Sequence, residues 1–317
     1  MSYRRSLSYL GVLLAVGLII WLVISSDLTL VFNEVKRFDI PTLFLLIGLQ
    51  IITILLISWQ WQLLFAASTI TLGFKSILMM NFVGTFFESI TPAMKSGGEG
   101  FKLVYLKRLS VPFSASSPVL LVQKTISFSI FLLLTILSFL VMVPRLEADL
   151  RQLIFVIILS LFVLISLFIV GSFVLLRKRT QSKHLHRFKH AFHVLLSSLR
   201  QNPYKTLLLV FISVLIWSLF ALKLHLVLGA FAINTRVFES AFITYIPYAV
   251  GLLPLSPGGL GTFEATMTYL LYPRFSDYSI AVSITLIFRF ISHWIVFILA
   301  LIYISIARLF KRSSFYE

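Results

Sequence analysis

Cysteine is absent from the 317 residues, which excludes disulfides, thiolate metal centres and cysteine nucleophiles. Charge is scarce as well. Only 12% of residues are Asp, Glu, Lys or Arg, against about 25% in a soluble domain. Acids number 11 against 27 bases, and no paired Asp or DxD-like cluster supplies the clamp that a lipid-linked transferase needs. The glycine-rich turns lack the Lys-Ser/Thr ending of a phosphate-binding loop, so no ATPase motif is present. The loops are too short for a nucleotide-binding domain. What remains is apolar: 59% hydrophobic residues and a mean hydropathy of +1.01. This is the composition of a polytopic membrane protein with little soluble mass.

Apolar runs near the roughly 20 residues of a spanning helix occur at 7–24, 41–65, 118–143, 152–176, 206–228 and 279–306. The first has no small-x-small cleavage site and counts as a span. Two more apolar segments, 76–94 and 240–272, are broken by Pro, Gly and Glu. The net charge of +16 lies in short loops, with no basic face on a water-exposed domain, so nucleic acid is not an expected partner. With a cytoplasmic N-terminus and both broken segments leaving by the side they enter, one face collects eighteen bases. These are Arg4, Arg5, Lys75, Lys95, Lys102, Lys107, Arg108, the eight from Arg177 to Lys205, Arg308, Lys311 and Arg312. The opposite loops hold six bases and seven acids. That asymmetry predicts a multi-pass protein of the plasma or inner membrane with both termini cytoplasmic.

The breaks repeat. "TPAMKSGGEGFKLVYL" and "LPLSPGGLGTFEATMTYL" each place a proline four or five residues before a GGxG. The glycines are Gly97, Gly98 and Gly100 in the first, and Gly258, Gly259 and Gly261, preceded by Pro257, in the second. The two motifs lie 161 residues apart, about half the chain, and each has a glutamate nearby, Glu99 and Glu264. Each half then reads span, span, broken hairpin, span. Three crossings invert the second half. The predicted fold is therefore all-α, with two inverted-topology halves (1–150 and 151–317), six spanning helices and two re-entrant hairpins at 76–110 and 240–272. Interrupted segments at matching positions of inverted halves point to a transporter site near the midplane. Broken backbone at membrane depth survives only beside protein or a water-filled cavity, and helix N-termini there suit phosphate or carboxylate.

With "GGEGFKLVYLKR" and "SPGGLGTFE" in view, the chain resembles the lysylphosphatidylglycerol synthase transmembrane-region family, also described as flippase-like. The resemblance covers nearly the whole chain and lacks the soluble lysyl-transferring domain of bifunctional members. It implies an eight-helix-like membrane fold, with hairpins counted as helices, and movement of a charged lipid or polyprenyl-linked headgroup between leaflets. Relatives often carry a Glu-Arg pair and an acid in the span after the first hairpin. Here that region reads "LVQKTISF", with Lys124 at the arginine position and no acid within three residues.

Charged residues inside apolar runs are the site candidates. Glu264 stands in the first turn of any helix starting after Gly261. There it either complements the helix dipole, worth about 0.3–1 kcal/mol, or contacts a headgroup amine or a proton. Glu99 is read either as a local ion pair with Lys95 and Lys102 or as a cavity group. Arg289 and Lys124 each carry an insertion cost of about 2.5–3.5 kcal/mol, so lipid phosphate or the carboxylates Glu264, Glu99 and Glu88 must compensate, unless Lys124 snorkels. His293, four residues from Arg289, is expected on the same helical face. Lys223 and His225 are assigned to the interface at the outer end of their span. The linker 177–205 reads as an amphipathic helix on the cytoplasmic leaflet, with Arg177, Lys178, Arg179, Lys183, Arg187 and Lys189 against anionic lipid. His186, His190 and His193 share a face there without a carboxylate, so neither metal nor cofactor is expected.

The leading function is a lipid flippase whose substrate is an anionic phospholipid or a polyprenyl-phosphate-linked headgroup. The alternatives are an intramembrane lipid-linked transferase, and a non-transporting partner of a separate lipid synthase. Oligomeric state is not encoded legibly.

Overall fold

The structure is a computed structural model and describes residues 38–90, 96–177, 183–252, 259–274 and 278–310. The run 7–24, Lys178, Arg179, Pro257 and Gly258 lie outside the described residues. Everything described is helix or short connection: α1 (Ile40–Ala67), α2 (Phe74–Ile90), α3 (Ser96–Arg108), α4 (Phe113–Met142), α5 (Ala148–Arg177) and α6 (Lys183–Gln201). There follow α7 (Pro203–Ala230), α8 (Val237–Leu252), α9 (Thr262–Leu271), α10 (Tyr278–Arg289) and α11 (Ile295–Phe310). A π-helical turn, Phe290–Trp294, joins α10 to α11.

Among the described residues, five helical stretches are long and apolar enough to cross a bilayer: Ile40–Ala67, Phe113–Arg145, Ala148–Leu167, Pro203–Ala230 and Tyr278–Tyr303. Their outward sides are unusually apolar for a protein surface. Along α5, Leu153, Phe155, Leu159, Phe162 and Val163 are all exposed. Water would penalise such a stripe by about 25 cal/mol per Å², whereas lipid solvates it. The chain is an all-α polytopic membrane protein.

Helix ends are built locally. α1, α3 and α7 each close with a left-handed residue, Thr69, Ser110 and Ala232. The next amide then donates back five residues: Ile70 to Phe65, Val111 to Leu106 and Ile233 to Leu228. These Schellman closures satisfy carbonyls that would otherwise be orphaned. At the start of α7, Asn202 Oδ1 accepts the Lys205 amide at 3.3 Å, and Pro203 needs no amide partner.

A shift of 161 residues carries α1 onto α7, α2 onto α8, α3 onto α9 and α4 onto α10–α11 to within a few residues. α1 and α7 are both 28 residues long. Within each broken segment the two helices run antiparallel. In the first, Gly84 and Glu88 of α2 meet Lys102 and Gly98 of α3. In the second, Gly251 and Tyr248 of α8 meet Gly259 and Phe263. α1 and α7 are antiparallel too, since Gln60 bonds Ser213 while Gln50 bonds Lys223. The apolar core has one large cluster, including Phe131, Leu224, Phe242, Met267 and Phe288, and a second around Trp61, Phe65, Met80, Leu106 and Leu195. Phe86, Leu260, Trp294 and Phe297 form a third cluster where α2 packs on α11. The polar site sits among these packed elements.

Candidate functional site: a charged cavity inside the helix bundle

The first broken segment keeps its glycines for close approach. Gly97, Gly98 and Gly100 all lie inside α3, which begins at Ser96, so the helix does not wait for the GGxG to end as the sequence suggests. A Cβ on Gly98 would fall 2.1 Å from Glu88 Cγ and 2.7 Å from the Gly84 carbonyl oxygen. Only hydrogen fits, and this brings the α2 and α3 backbones together with Glu88 in the seam. Gly100, by contrast, has open space beside it.

That seam assembles a charge cluster. Lys102 Nζ lies 3.0 Å from Glu88 Oε1 and 2.9 Å from Glu99 Oε1. Lys124 of α4 reaches the same Glu99 oxygen at 3.0 Å. The missing acid in the "LVQKTISF" span is thus supplied by the hairpin, and Lys124 does not snorkel. Lys102 is 4% exposed. Two ammonium groups on one carboxylate oxygen offset a desolvation cost of several kcal/mol per ion. The other Glu99 oxygen is buried and accepts no hydrogen bond.

The second broken segment uses its glycines for conformation. Gly259 and Gly261 have φ of +73° and +79°, the left-handed region that a side chain disfavours. Gly261 caps α9, which here does start after the motif, and its amide donates to Glu264 Oε2 at 2.7 Å. Glu264 therefore has its helix-end role. Its other oxygen lies 3.1 Å from Arg289 Nε, an electrostatic contact that is not aligned as a hydrogen bond. Arg289 is 3% exposed, with its guanidinium 4.4 Å from the centre of the Phe263 ring.

Both clusters open onto one cavity of about 170 Å³. Its wall draws on both halves: Gln60 and Trp61 of α1, Asn81 and Glu88 of α2, Lys102, then Gln123, Lys124 and Phe128 of α4. Trp217 and Phe220 of α7, Tyr248 of α8, Phe263 and Arg289 belong to it as well. Among the described residues three cations and one carboxylate face the space, because Glu99 and Glu264 stand behind the cations they hold. Each cation also lies over a ring of the wall: Lys102 over Trp61 at 5.2 Å, Lys124 over Phe128 at 5.5 Å, and Arg289 over Phe263. Ligand pockets for drug-sized molecules run to about 300–1,000 Å³, so this space suits a headgroup-sized polar moiety and leaves lipid tails outside. Buried amides frame it: Gln123 donates to Gln60 at 3.2 Å, and Gln60 to the Leu209 carbonyl at 3.3 Å.

Among the sequence candidates, Glu88, Lys124 and Arg289 line the cavity, and Glu99 and Glu264 anchor them. His293 does not join them. It is absent from that wall and lies in the π-helical turn, with its ring edge-on to Trp294 at 5.5 Å. Lys223 is a second correction. It is fully buried, with its ammonium on Gln50 Oε1 and 3.4 Å from the Thr53 hydroxyl, rather than at the interface. His225, two residues on, does lie by the α7–α8 connection, 3.3 Å from Thr235 and 3.2 Å from Ser240. In α6, Leu195 and Leu199 are buried while Lys183 and Arg187 are exposed and Lys189 half-buried, as an amphipathic helix requires. Arg177 ends α5. The amides Gln60, Gln123 and Asn81 were legible only as polar residues inside apolar runs.

An all-helical membrane protein with a charged cavity between antiparallel broken helices is the class that these features define. Residues 8–300 match the family described as the lysylphosphatidylglycerol synthase TM region, and the chain belongs to that family. Among its relatives, a UPF0104 membrane protein of Methanocaldococcus jannaschii is 23% identical over 264 residues, covering 77% of this chain and 78% of the relative. A UPF0104 membrane protein of Pyrococcus horikoshii is 23% identical over 316 residues, covering 90% and 93%.

Proposed function

We propose that this protein is a lipid flippase that moves a phosphate-bearing lipid or polyprenyl-linked headgroup between the leaflets of the cell membrane. The carrying observation is the wall of the cavity, where Lys102, Lys124 and Arg289 face inward and two of their counter-carboxylates stand behind them. Such a wall prefers an anion, and a desolvated cation gains more from phosphate than it does in water. Glu88 adds an acceptor for a headgroup amine or a coupling proton. The tails remain in the bilayer, against the exposed apolar faces of the spans.

In this reading α2–α3 and α8–α9 are re-entrant hairpins of two inverted halves, one open to the cytoplasm and the other to the exterior. The 161-residue correspondence of elements and the distribution of basic residues support that topology, with both termini cytoplasmic. Rocking of one half against the other would expose the shared cavity alternately to the two sides.

The test is reconstitution into liposomes with fluorescent headgroup-labelled lipids, reading the label that dithionite can reach from outside. Wild type is expected to move an anionic lipid, and folded Glu264→Gln and Arg289→Ala proteins to move it slowly. A wild type inert toward a broad lipid panel counts against transport. Full activity in both variants keeps transport and removes this site.

A further inference from the structure

Among the described residues, three buried cations, Lys102, Lys223 and Arg289, and the half-buried Lys124 lie over aromatic rings. Three of them line the cavity, and Lys223 is the fourth. It is fully buried in α7, and the groups its ammonium meets among the described residues are neutral: Gln50 Oε1, the Thr53 hydroxyl and the Phe220 ring, whose centre is 4.0 Å away. Among the described residues no carboxylate stands within ion-pair distance of it. A charged residue kept at membrane depth without a counter-charge is a functional feature by default.

Its position relative to the cavity is informative. Phe220 belongs to the cavity wall, so a single ring separates Lys223 from that space. On α7 the cavity is faced by Trp217 and Phe220, with Lys223 beyond them. On α1 it is faced by Gln60 and Trp61, with Gln50 and Thr53 beyond them in the opposite chain direction. The two antiparallel helices agree on the offset: Lys223 stands three residues past Phe220, and Thr53 four residues before Ile57, also of the wall, so Lys223 lies on the order of 5 Å from the cavity along the helix axes, at about 1.5 Å per residue. Gln50 ties the two places together. Its amide donates to the Ser292 carbonyl of the π-helical turn at 3.2 Å, and the Ser292 hydroxyl bonds Tyr248 of the cavity wall at 3.3 Å.

We infer that Lys223, with Gln50 and Thr53, forms a second station for the phosphate of the moving headgroup, closed off from the central cavity by the Phe220 ring. The identity of its ligand rests on the transport reading above. Phosphate oxygen forms a stronger, charge-assisted bond to an ammonium than a ring face does, so an arriving anion displaces Phe220 rather than Gln50 or Thr53. Swinging one side chain then joins the two stations into a path running toward the C-terminal end of α7.

The cysteine-free chain makes this measurable. Thr53→Cys puts a single thiol beside Lys223, to be labelled in liposomes by negatively and positively charged methanethiosulfonates. With Phe220 in place labelling is expected to be slow. Phe220→Ala should accelerate it, with the anionic reagent about tenfold or more ahead of the cationic one, and Lys223→Gln should abolish that preference. Phe220→Leu, which keeps apolar bulk, should give the same preference at a lower rate and guards against a misfolded alanine variant. No acceleration in either variant, or no charge preference, overturns the station. The flipping assay separates the two claims, because Lys223→Gln should flip lipid at least about tenfold more slowly than wild type. A wild type that moves no lipid while charge-selective labelling holds sinks the transport reading and leaves an anion station. Equal flipping by Lys223→Gln and wild type sinks the station and leaves transport.

Discussion

The two GGxG segments share a spelling and solve different problems. In the first, the glycines are helical and Gly98 is required because Glu88 and the Gly84 carbonyl occupy the space where a side chain would go. In the second, Gly261 has open space around it, and its requirement is the left-handed backbone at the start of α9. Their charges differ in the same way. The first cluster shares two lysines and two carboxylates, whereas the second rests on one arginine and one glutamate that also caps its own helix. An identical motif is therefore poor evidence of identical mechanics. What the halves have in common is the outcome: a helix start brought against the preceding helix and a cation turned toward the same cavity.

The largest expected effect comes from breaking the crowded cluster. Glu99→Gln removes two ion pairs at once, leaving Lys102 with Glu88 alone and Lys124 beside a neutral amide, and breaking buried pairs of this kind costs about 3–5 kcal/mol. Its thermal midpoint in detergent should fall furthest of the set. Glu264→Gln should cost less, because the amide oxygen still accepts the Gly261 N–H and one ion pair is lost instead of two. Comparing the two melting curves tests whether the first cluster is the structural one. A larger loss in Glu264→Gln reverses the assignment.

Next come the glycines. Gly98→Ala must push α2 from α3 and is expected to cost about 1–3 kcal/mol as an overpacked contact. Gly261→Ala, strained only in its backbone, should cost about 1–2 kcal/mol. Gly100→Ala is the control, helical and unobstructed, and should stabilise by up to about 1 kcal/mol. If Gly100→Ala is the most harmful of the three, the steric account of the first motif fails.

The spans, the paired breaks and the importance of Glu99, Glu264, Lys124 and Arg289 were legible because charge and proline inside apolar runs stand out against their surroundings. Which carboxylate serves which cation was not. Glu99 reaches Lys124 across 25 positions of sequence only after Gly98 lets α3 settle on α2. Lys223 was misread for a different reason. The helix around it is apolar on every side, so periodicity gives no inward face, and its closeness to the end of the run favoured the interface. "FISHW" carries no local mark of π-helical winding, so the turn that holds His293 was not legible. Gln60 and Gln123 were visible as amides in oily runs, but their bond to each other is a tertiary fact.

The central claim is that the cations drawn from both halves hold one phosphate headgroup between them. Native mass spectrometry of the detergent-purified protein, titrated with phosphatidylglycerol, tests it most directly. Wild type and a surface variant, Lys183→Gln with Arg187→Gln, should both retain one tightly held lipid, and Lys124→Gln with Arg289→Gln should lose it. Retention by the cavity variant with equal affinity, or loss by the surface variant instead, would contradict the account and move the lipid site out of the cavity.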